Sequence, residues 1–543
     1  MTKKQKSFVQ GAALLGIIGL VCKVIGAFYR IPITNIITTE GIAFYQTAYT
    51  VYAFLLVISS AGIPVAISKM VSERVTLGDY KAAHQVFKKA FRSLTIIGVV
   101  TSVLMFALSP IISKGLSRPG AEYSFMAIAP SLFLVSVLSA YRGYFQGLNL
   151  MAPTAISQFV EQSVKLGVGI LAASILIEKG FEYGAAGAMI GVTASELLAL
   201  LFIMFLYRIK KPDLKRRMRK NVLSHLDDEG SIGRKLLMIA LPIIIGACAM
   251  PFVQLADTFI VTKSLLGLGY TVSETNSLYG NLTGVINPLI NMPAVLSLAL
   301  AMSLVPAISA AKAKKDQVEV QRTASFGFKL SMLIGLPCAA GFFVLAKPII
   351  SLLYPSLGAD ELATSTVLLQ IMSVSVLFLT IIQTMTGVFQ GLGRPGIPVI
   401  NLFIGVTVKI VVSLVAIKVP ELNIKGAAIG TAACYAIAGI LDIIMIIRLS
   451  GIKLRLFSNI IKPVISAAMM GAFVYFFYPV IADVSANFAT LASIAIGAVF
   501  YGMFVLAIGA LRQDEASFIP GGGHLEKAMI KIGVWEKGKT DEQ

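Results

Sequence analysis

Seven ionisable residues, Lys23, Glu161, Lys165, Glu196, Asp257, Lys409 and Asp442, stand inside long apolar stretches, and Arg30 stands near the end of another. A charge at the centre of a membrane helix costs about 2.5–3.5 kcal/mol, so such groups face protein or a watery cavity. Lys23 and Arg30 are spaced to share one face of a helix, within about 20° of one another. Cations on one stripe repel unless an anion lies between or opposite them. A diphosphate suits both, because arginine binds phosphate oxygens as a fork and lysine as a point charge. The alternative is that Lys23 pairs with a buried acid and Arg30 snorkels to the headgroups. Gln158, Glu161, Gln162 and Lys165 form a second polar stripe, in which Glu161 and Lys165 are one turn apart. That spacing predicts an ion pair, either one that holds helices together or one that leaves donors and acceptors for sugar or peptide groups.

Tyr45, Tyr49 and Tyr52 share a face that can stack on sugars or pack helices. Asn287 and Asn291, one turn apart, would add polar groups to a central cavity from the second half of the chain. Asp257 is a candidate for a cation or a proton, or for a salt bridge with Lys409. The four cysteines lack metal-ligand spacing and read as packing residues.

The elements that must position these groups are membrane helices. Hydrophobic residues make up 57% of the 543 and charged residues only 13%, about half the charged fraction of a soluble domain. Hydropathy predicts an all-α polytopic protein of about 14 transmembrane helices, among them 8–29, 43–68, 121–141, 153–177 and 278–308. Lys and Arg concentrate in alternate loops, which places the N- and C-termini in the cytoplasm. Those basic loops explain most of the +19 net charge and point to anionic lipids as neighbours, with no nucleic acid required.

The chain also repeats itself. Phe145-Gln146-Gly147-Leu148 recurs as Phe389-Gln390-Gly391-Leu392, Lys165 as Lys409, and Gly184-Ala185-Ala186 as Gly426-Ala427-Ala428. Upstream, Ala66-Ile67-Ser68 matches Ala307-Ile308-Ser309, and Pro110-Ile111-Ile112-Ser113 matches Pro348-Ile349-Ile350-Ser351. Six helices per copy return the chain to its starting side, so the copies are parallel repeats of the kind that enclose transport sites. The expected domains are a six-helix lobe over 1–207, a basic cytoplasmic linker over 208–235, a second six-helix lobe over 236–450, two further helices over 451–511 and a cytoplasmic tail over 512–543. Within the tail, Leu525, Met529 and Ile532 predict a short interfacial helix. Glu161 falls on Gly405 in the second copy, so the acid belongs to the first half alone. Gly62-Ile63-Pro64, Asn287-Pro288 and Gly335-Leu336-Pro337 predict bends.

Lys23-Val24-Ile25-Gly26 with Arg30, Gly62-Ile63-Pro64-Val65-Ala66-Ile67-Ser68-Lys69, Tyr141-Arg142-Gly143-Tyr144-Phe145-Gln146-Gly147 and Gln158-Phe159-Val160-Glu161-Gln162 resemble the polysaccharide-exporter branch of the multidrug/oligosaccharidyl-lipid/polysaccharide (MOP) superfamily. Within it, the pattern is similar to the stage V sporulation protein B group and the MurJ-type lipid II flippases. The resemblance implies two six-helix lobes and movement of an undecaprenyl-diphosphate-linked peptidoglycan precursor or related lipid-linked glycan to the outer leaflet, with cell-wall synthesis enzymes as partners. Lys23 and Arg30 fall where such proteins carry arginines on the first span, whereas their arginines on spans 2 and 8 have no basic counterpart here. Some members bind sodium in the second lobe, and Asp257, Asn401 and Thr431 are the counterparts, with Gly405 where an acid is expected.

These readings converge on a flippase working by alternating access, without cofactor or covalent chemistry, driven by sodium, a proton or the membrane potential. A cation-coupled drug exporter using Glu161, Glu196 or Asp257, and a non-transporting membrane scaffold for cell-wall or sporulation enzymes, are the alternatives. An enzyme is not expected. The three histidines lie outside the spans, and no hydrolase, nucleotide-binding or glycosyltransferase motif is present.

Overall fold

The computed structural model describes residues 3–219, 229–451, 456–483 and 485–511. Among them the chain is all-α, as its composition predicts. The first helix, α1 (Lys3–Leu56), is followed by α2 (Ile63–Thr76), α3 (Tyr80–Gly115), α4 (Ala121–Gly147), α5 (Ala152–Leu176) and α6 (Phe181–Arg219). Next come α7 (Glu229–Gly267), α8 (Val272–Gly280), α9 (Asn287–Ala313), α10 (Gln317–Val344), a short α11 (Ala346–Leu353), α12 (Ala359–Gly391), α13 (Gly396–Ala416) and α14 (Ile424–Ser450). Finally, α15 (Lys462–Ala482) and α16 (Ala486–Ala507) close the described chain.

Thirteen helical stretches among the described residues are long and apolar enough to cross a membrane, and the first, Leu15–Thr76, runs for 62 residues. That stretch holds two of the expected spans. They separate at Thr38, whose φ of 62° and ψ of 179° leave the helical region. The bends predicted from Gly and Pro appear at two of three places, as wide π-type turns over Val57–Ala61 and Asn281–Ile286 just before Pro64 and Pro288. At Pro337 the helix α10 continues without interruption. The described parts of the expected 208–235 linker are helical, since α6 runs to Arg219 and α7 starts at Glu229. The interfacial helix expected in the tail lies outside the described residues.

Contacts divide the chain into two compact units, Met1–Pro288 and Leu289–Gln543. The first unit has two apolar cores. One joins Ile33, Ile37, Phe125, Leu132, Ala173 and Met189 beneath the site described below, and the other joins Ile67, Val86, Leu138, Tyr144, Ile203 and Leu236. The second unit is centred on Ile308, Phe328, Met385, Phe389 and Ile446. Both repeats use the same local devices. Asp79 caps α3 through the Ala82 amide at 2.9 Å, and Asp316 caps α10 through the Glu319 amide at 3.0 Å, each supplying an acceptor for an amide that the helix leaves open. Gly143 and Gly147 let α4 lie directly on α2, where a Cβ would stand 2.9 Å from the Pro64 carbonyl oxygen and 2.6 Å from Val71. In the second unit Gly387 and Gly391 set α12 on α9 in the same way, 2.6 Å from the Ala301 carbonyl oxygen and 2.9 Å from Ile308.

Candidate functional site

Helices α1, α4 and α5 line an open cavity of about 460 Å³ in the first unit. Two small residues bring its walls together. A Cβ on Gly169 of α5 would lie 2.7 Å from the Tyr29 hydroxyl, so the glycine makes room for that ring. Gly26 of α1 faces the Gln162 side chain at 3.4 Å. Seven of the nine predicted substrate-site residues, Lys23, Arg30, Tyr45, Tyr49, Gln158, Glu161 and Lys165, line this one space. Gln162, from the same predicted stripe, joins them.

Arg30 is half-buried against the second half of α1. Its Nη2 donates to Gln46 Oε1 at 2.5 Å, and its guanidinium lies 4.7 Å from the Tyr45 ring centre and 6.0 Å from that of Tyr49. Its Nη1, also buried, has no hydrogen-bond partner among the described residues. Tyr45 and Tyr49 stack at 5.9 Å with planes 8° apart, an i,i+4 pair that presents one continuous aromatic wall. Lys165 reaches the same wall from α5, with Nζ 5.3 Å from the centres of Tyr29 and Tyr49. Ring faces attract a cation by about 0.5–2 kcal/mol without neutralising it. Lys23 is exposed at the cavity lining.

The predicted Glu161–Lys165 pair does not form. Glu161 instead accepts from Arg142 Nη2 at 2.8 Å, while Gln162 Nε2 donates to its other oxygen at 3.2 Å. Arg142 Nε donates to Ser157 Oγ at 3.0 Å, so a guanidinium fork spans α5 from its Ser157 turn to its Glu161 turn. One turn of helix makes neighbours of Glu161 and Lys165, but a planar fork arriving from α4 satisfies the carboxylate with better geometry than a flexible ammonium does. Arg142 is the functional candidate that sequence reasoning missed. It follows the predicted end of its span at 141 by one residue and so stands outside the apolar stretch. The available signal was the break in the repeat, where Arg142 aligns with Thr386 while Gly143 aligns with Gly387.

Among the lining residues, Lys23, Arg30, Arg142 and Lys165 against Glu161 leave a formal excess of three positive charges, with the buried Glu196 of α6 near enough to act on Glu161, Arg142 and Lys165. With Glu161 occupied by Arg142, the remaining cations and the free Arg30 edge suit a compact polyanion, and the tyrosines suit sugar or prenyl carbon.

Comparison with known proteins agrees with this architecture. A family model described as "polysaccharide biosynthesis protein" matches residues 8–312. The chain belongs to that family. A second model, MatE, matches residues 281–415. This family member is 28% identical over 534 residues to the membrane protein YabM of Bacillus subtilis (strain 168), covering 96% of each chain. It is 27% identical to that organism's stage V sporulation protein B over 95% of this chain and 98% of that one, and 24% identical to its lipid II flippase MurJ over 85% and 87%. Among solved structures, an inward closed MurJ covers 91% of this chain and 98% of its own at a TM-score of 0.66 and 14% identity. An inward-facing multidrug MATE transporter covers 81% and 98% at 0.63 and 16%. The shared fold is that of the MOP superfamily, and this polysaccharide biosynthesis family member is a multi-pass membrane protein of that transporter superfamily.

The other predicted residues lie elsewhere. Asn287 is half-buried at the start of α9 and Asn291 is exposed one turn on, and neither lines the cavity, whose walls come from α1, α4 and α5. Asp257 is half-buried on α7, in the first unit. Asn401 and Thr431 are buried in the second unit, so the three proposed ion ligands are split between separate compact bodies. Asn401 Nδ2 donates to Asp442 Oδ1 at 2.8 Å, and Thr431 Oγ1 donates within its own helix to the Ala427 carbonyl oxygen at 3.0 Å. Among the described residues no group of three His, Cys, Asp or Glu is placed to hold a metal ion.

Proposed function

We propose that this protein is a flippase for a lipid carrying a diphosphate-linked glycan, a peptidoglycan precursor such as lipid II being the substrate class. The observation that carries this reading is the cationic, tyrosine-walled cavity in which Lys23, Lys165 and one edge of Arg30 have no carboxylate partner among the described residues. A diphosphate would lie among those three groups, with the first sugars against Tyr45 and Tyr49, while the prenyl chain remains in lipid. The relatives named for a lipid II flippase and a sporulation protein support that substrate class. Transport requires only that the anion bind two states of the protein differently, and membrane potential or a coupled ion would supply the bias. Asn401 and Thr431 of the second unit, with Asp442 beside Asn401, stay as candidates for that ion, and Asp257 of the first unit stays as a separate one. The basic loops would face anionic lipid in the cytoplasmic leaflet with both termini inside, and cell-wall enzymes would take the delivered precursor.

The MatE match and the MATE neighbours favour a drug exporter as the second reading. A cationic drug in this cavity would find Glu161 already held by Arg142, while Glu196 is buried on α6 and Asp257 lies on α7, both outside the cavity lining, which disfavours it. Depleting the protein and measuring lipid II at the outer surface of living cells separates the two. The flippase reading predicts a fall in surface lipid II, restored by the wild type and not by a Lys23→Ala, Lys165→Ala double variant. Unchanged surface lipid II together with altered drug resistance would replace it by the exporter reading.

A further inference from the structure

Arg118 is fully buried, at 0% exposure, in the short connection between α3 and α4. Its Nη2 donates to Thr262 Oγ1 of α7 at 2.8 Å, and its guanidinium lies 4.0 Å from the ring centre of Tyr279 on α8. Nε and Nη1 have no hydrogen-bond partner among the described residues. Burying a guanidinium without a carboxylate or a full set of acceptors is costly, so this arrangement persists only where the surrounding packing imposes it.

The packing that imposes it is visible nearby. Tyr279 is held in turn by Thr258 of α7 at 2.8 Å. Directly after Tyr279, Gly280 and then Gly284 one turn on form a notch so tight that a Cβ would collide with the Thr39 carbonyl oxygen and with Ile42 respectively. Thr39 Oγ1 meets Ser277 Oγ at 3.2 Å, Ser273 Oγ donates to Glu40 at 3.1 Å, and Thr34 Oγ1 reaches the Gly284 carbonyl oxygen at 3.4 Å. The α1 residue at the crossing, Thr38, carries the positive φ that β-branched residues avoid. Strain at Thr38, an under-satisfied cation at Arg118 and a π-type turn at Asn281–Ile286 therefore meet on one side of the molecule. By the basic-loop topology that side is extracytoplasmic. Groups from the first sequence repeat meet α7 and α8, which open the second.

We propose that Arg118 with Thr262 and Tyr279, and the Thr39–Gly280 crossing beside it, form an outer latch that is closed in this state and must part for cargo to leave on the extracytoplasmic side. Helix crossings built on glycine notches bring backbone against backbone, because the missing Cβ lets the two helices approach closely. Opening would rehydrate Arg118 and relieve Thr38, so stored local cost offsets the loss of the crossing and keeps the two states close in free energy. The inference rests on the export reading for its direction and not for its geometry.

Two measurements on the full-length protein in cells test it. In a Thr39→Cys, Ser277→Cys pair, oxidation should stop delivery of lipid II to the outer surface and reduction should restore it, with either single variant unaffected. In an Arg118→Ala background, a cysteine placed at buried Thr275 should react about ten-fold faster with a membrane-impermeant thiol reagent from outside, as expected when the latch loses its main cross-helix contact. Full export by the cross-linked pair, or labelling unchanged by Arg118→Ala, overturns the latch and leaves the export reading standing. If the uncross-linked pair and the wild type both fail to deliver lipid II, the export reading falls, and the labelling arm still decides whether the latch exists.

Discussion

Helices α5 and α13 occupy the same place in the two repeats and use it differently. On α5, Ser157 and Glu161 turn towards Arg142 and together hold its guanidinium. The aligned positions of the second repeat are Asn401, Gly405 and Thr386. There Gly405 is pressed so closely on α14 that a Cβ would stand 2.5 Å from the Cys434 carbonyl oxygen, and Asn401 turns to Asp442 on that helix. The acid and its arginine are thus absent together, and what replaces them is helix packing. The scaffold around them does not change, since Gly143, Gly147, Gly387 and Gly391 all set one helix onto another. A duplicated frame with this ion pair in one copy separates the residues that serve the frame from those that serve the first-half cavity.

The sharpest way to break that comparison is to remove one partner of the first-half pair. Arg142→Ala leaves Glu161 partly buried and uncompensated, and should cost about 3 kcal/mol in thermal unfolding of the detergent-solubilised protein. Substituting both positions with their second-repeat residues, Arg142→Thr with Glu161→Gly, should recover most of that stability while export stays low. If the double variant is as unstable as the single, the two residues are not a unit. Next in size, Gly405→Ala should cost about 2 kcal/mol in the same melt by forcing α13 off α14, with no matching change in ligand affinity. Lys165 and Lys409 then form an internal control. Lys165→Ala should weaken binding of a prenyl diphosphate about ten-fold, and Lys409→Ala should leave it unchanged. Smallest of all, Arg30→Lys keeps the charge and loses the planar contact with Tyr45, which should weaken the same binding about three-fold. Equal effects from Lys165→Ala and Lys409→Ala would erase the asymmetry.

Much of the site was legible because charge inside apolar sequence is costly and therefore rare. Lys23, Arg30, Glu161 and Lys165 stood out on that ground alone, and the helical period put the tyrosines on one face. What the sequence left open were the partners. Spacing along α5 makes Lys165 available to Glu161, and only the approach of α4 decides that Arg142 takes the carboxylate. Arg142 itself stood one residue past an apolar boundary that hydropathy locates to within a few residues, so a threshold hid it. The corner at Thr38 was equally hidden, because the contact beside it, Thr39 on the Gly280 notch, joins residues 241 positions apart in the chain. The all-α fold and the repeated helix packing needed no such distant information, since apolar length and recurring glycines carry both.

The central claim is that the first-half cavity binds a diphosphate. Titrating purified protein in lipid nanodiscs with undecaprenyl diphosphate, at several salt concentrations, measures this directly. Saturable binding is expected, weakened by salt, in competition with inorganic pyrophosphate and abolished in the combined Lys23→Ala, Arg30→Ala, Lys165→Ala variant. Equal affinity in the wild type and that variant would contradict the claim.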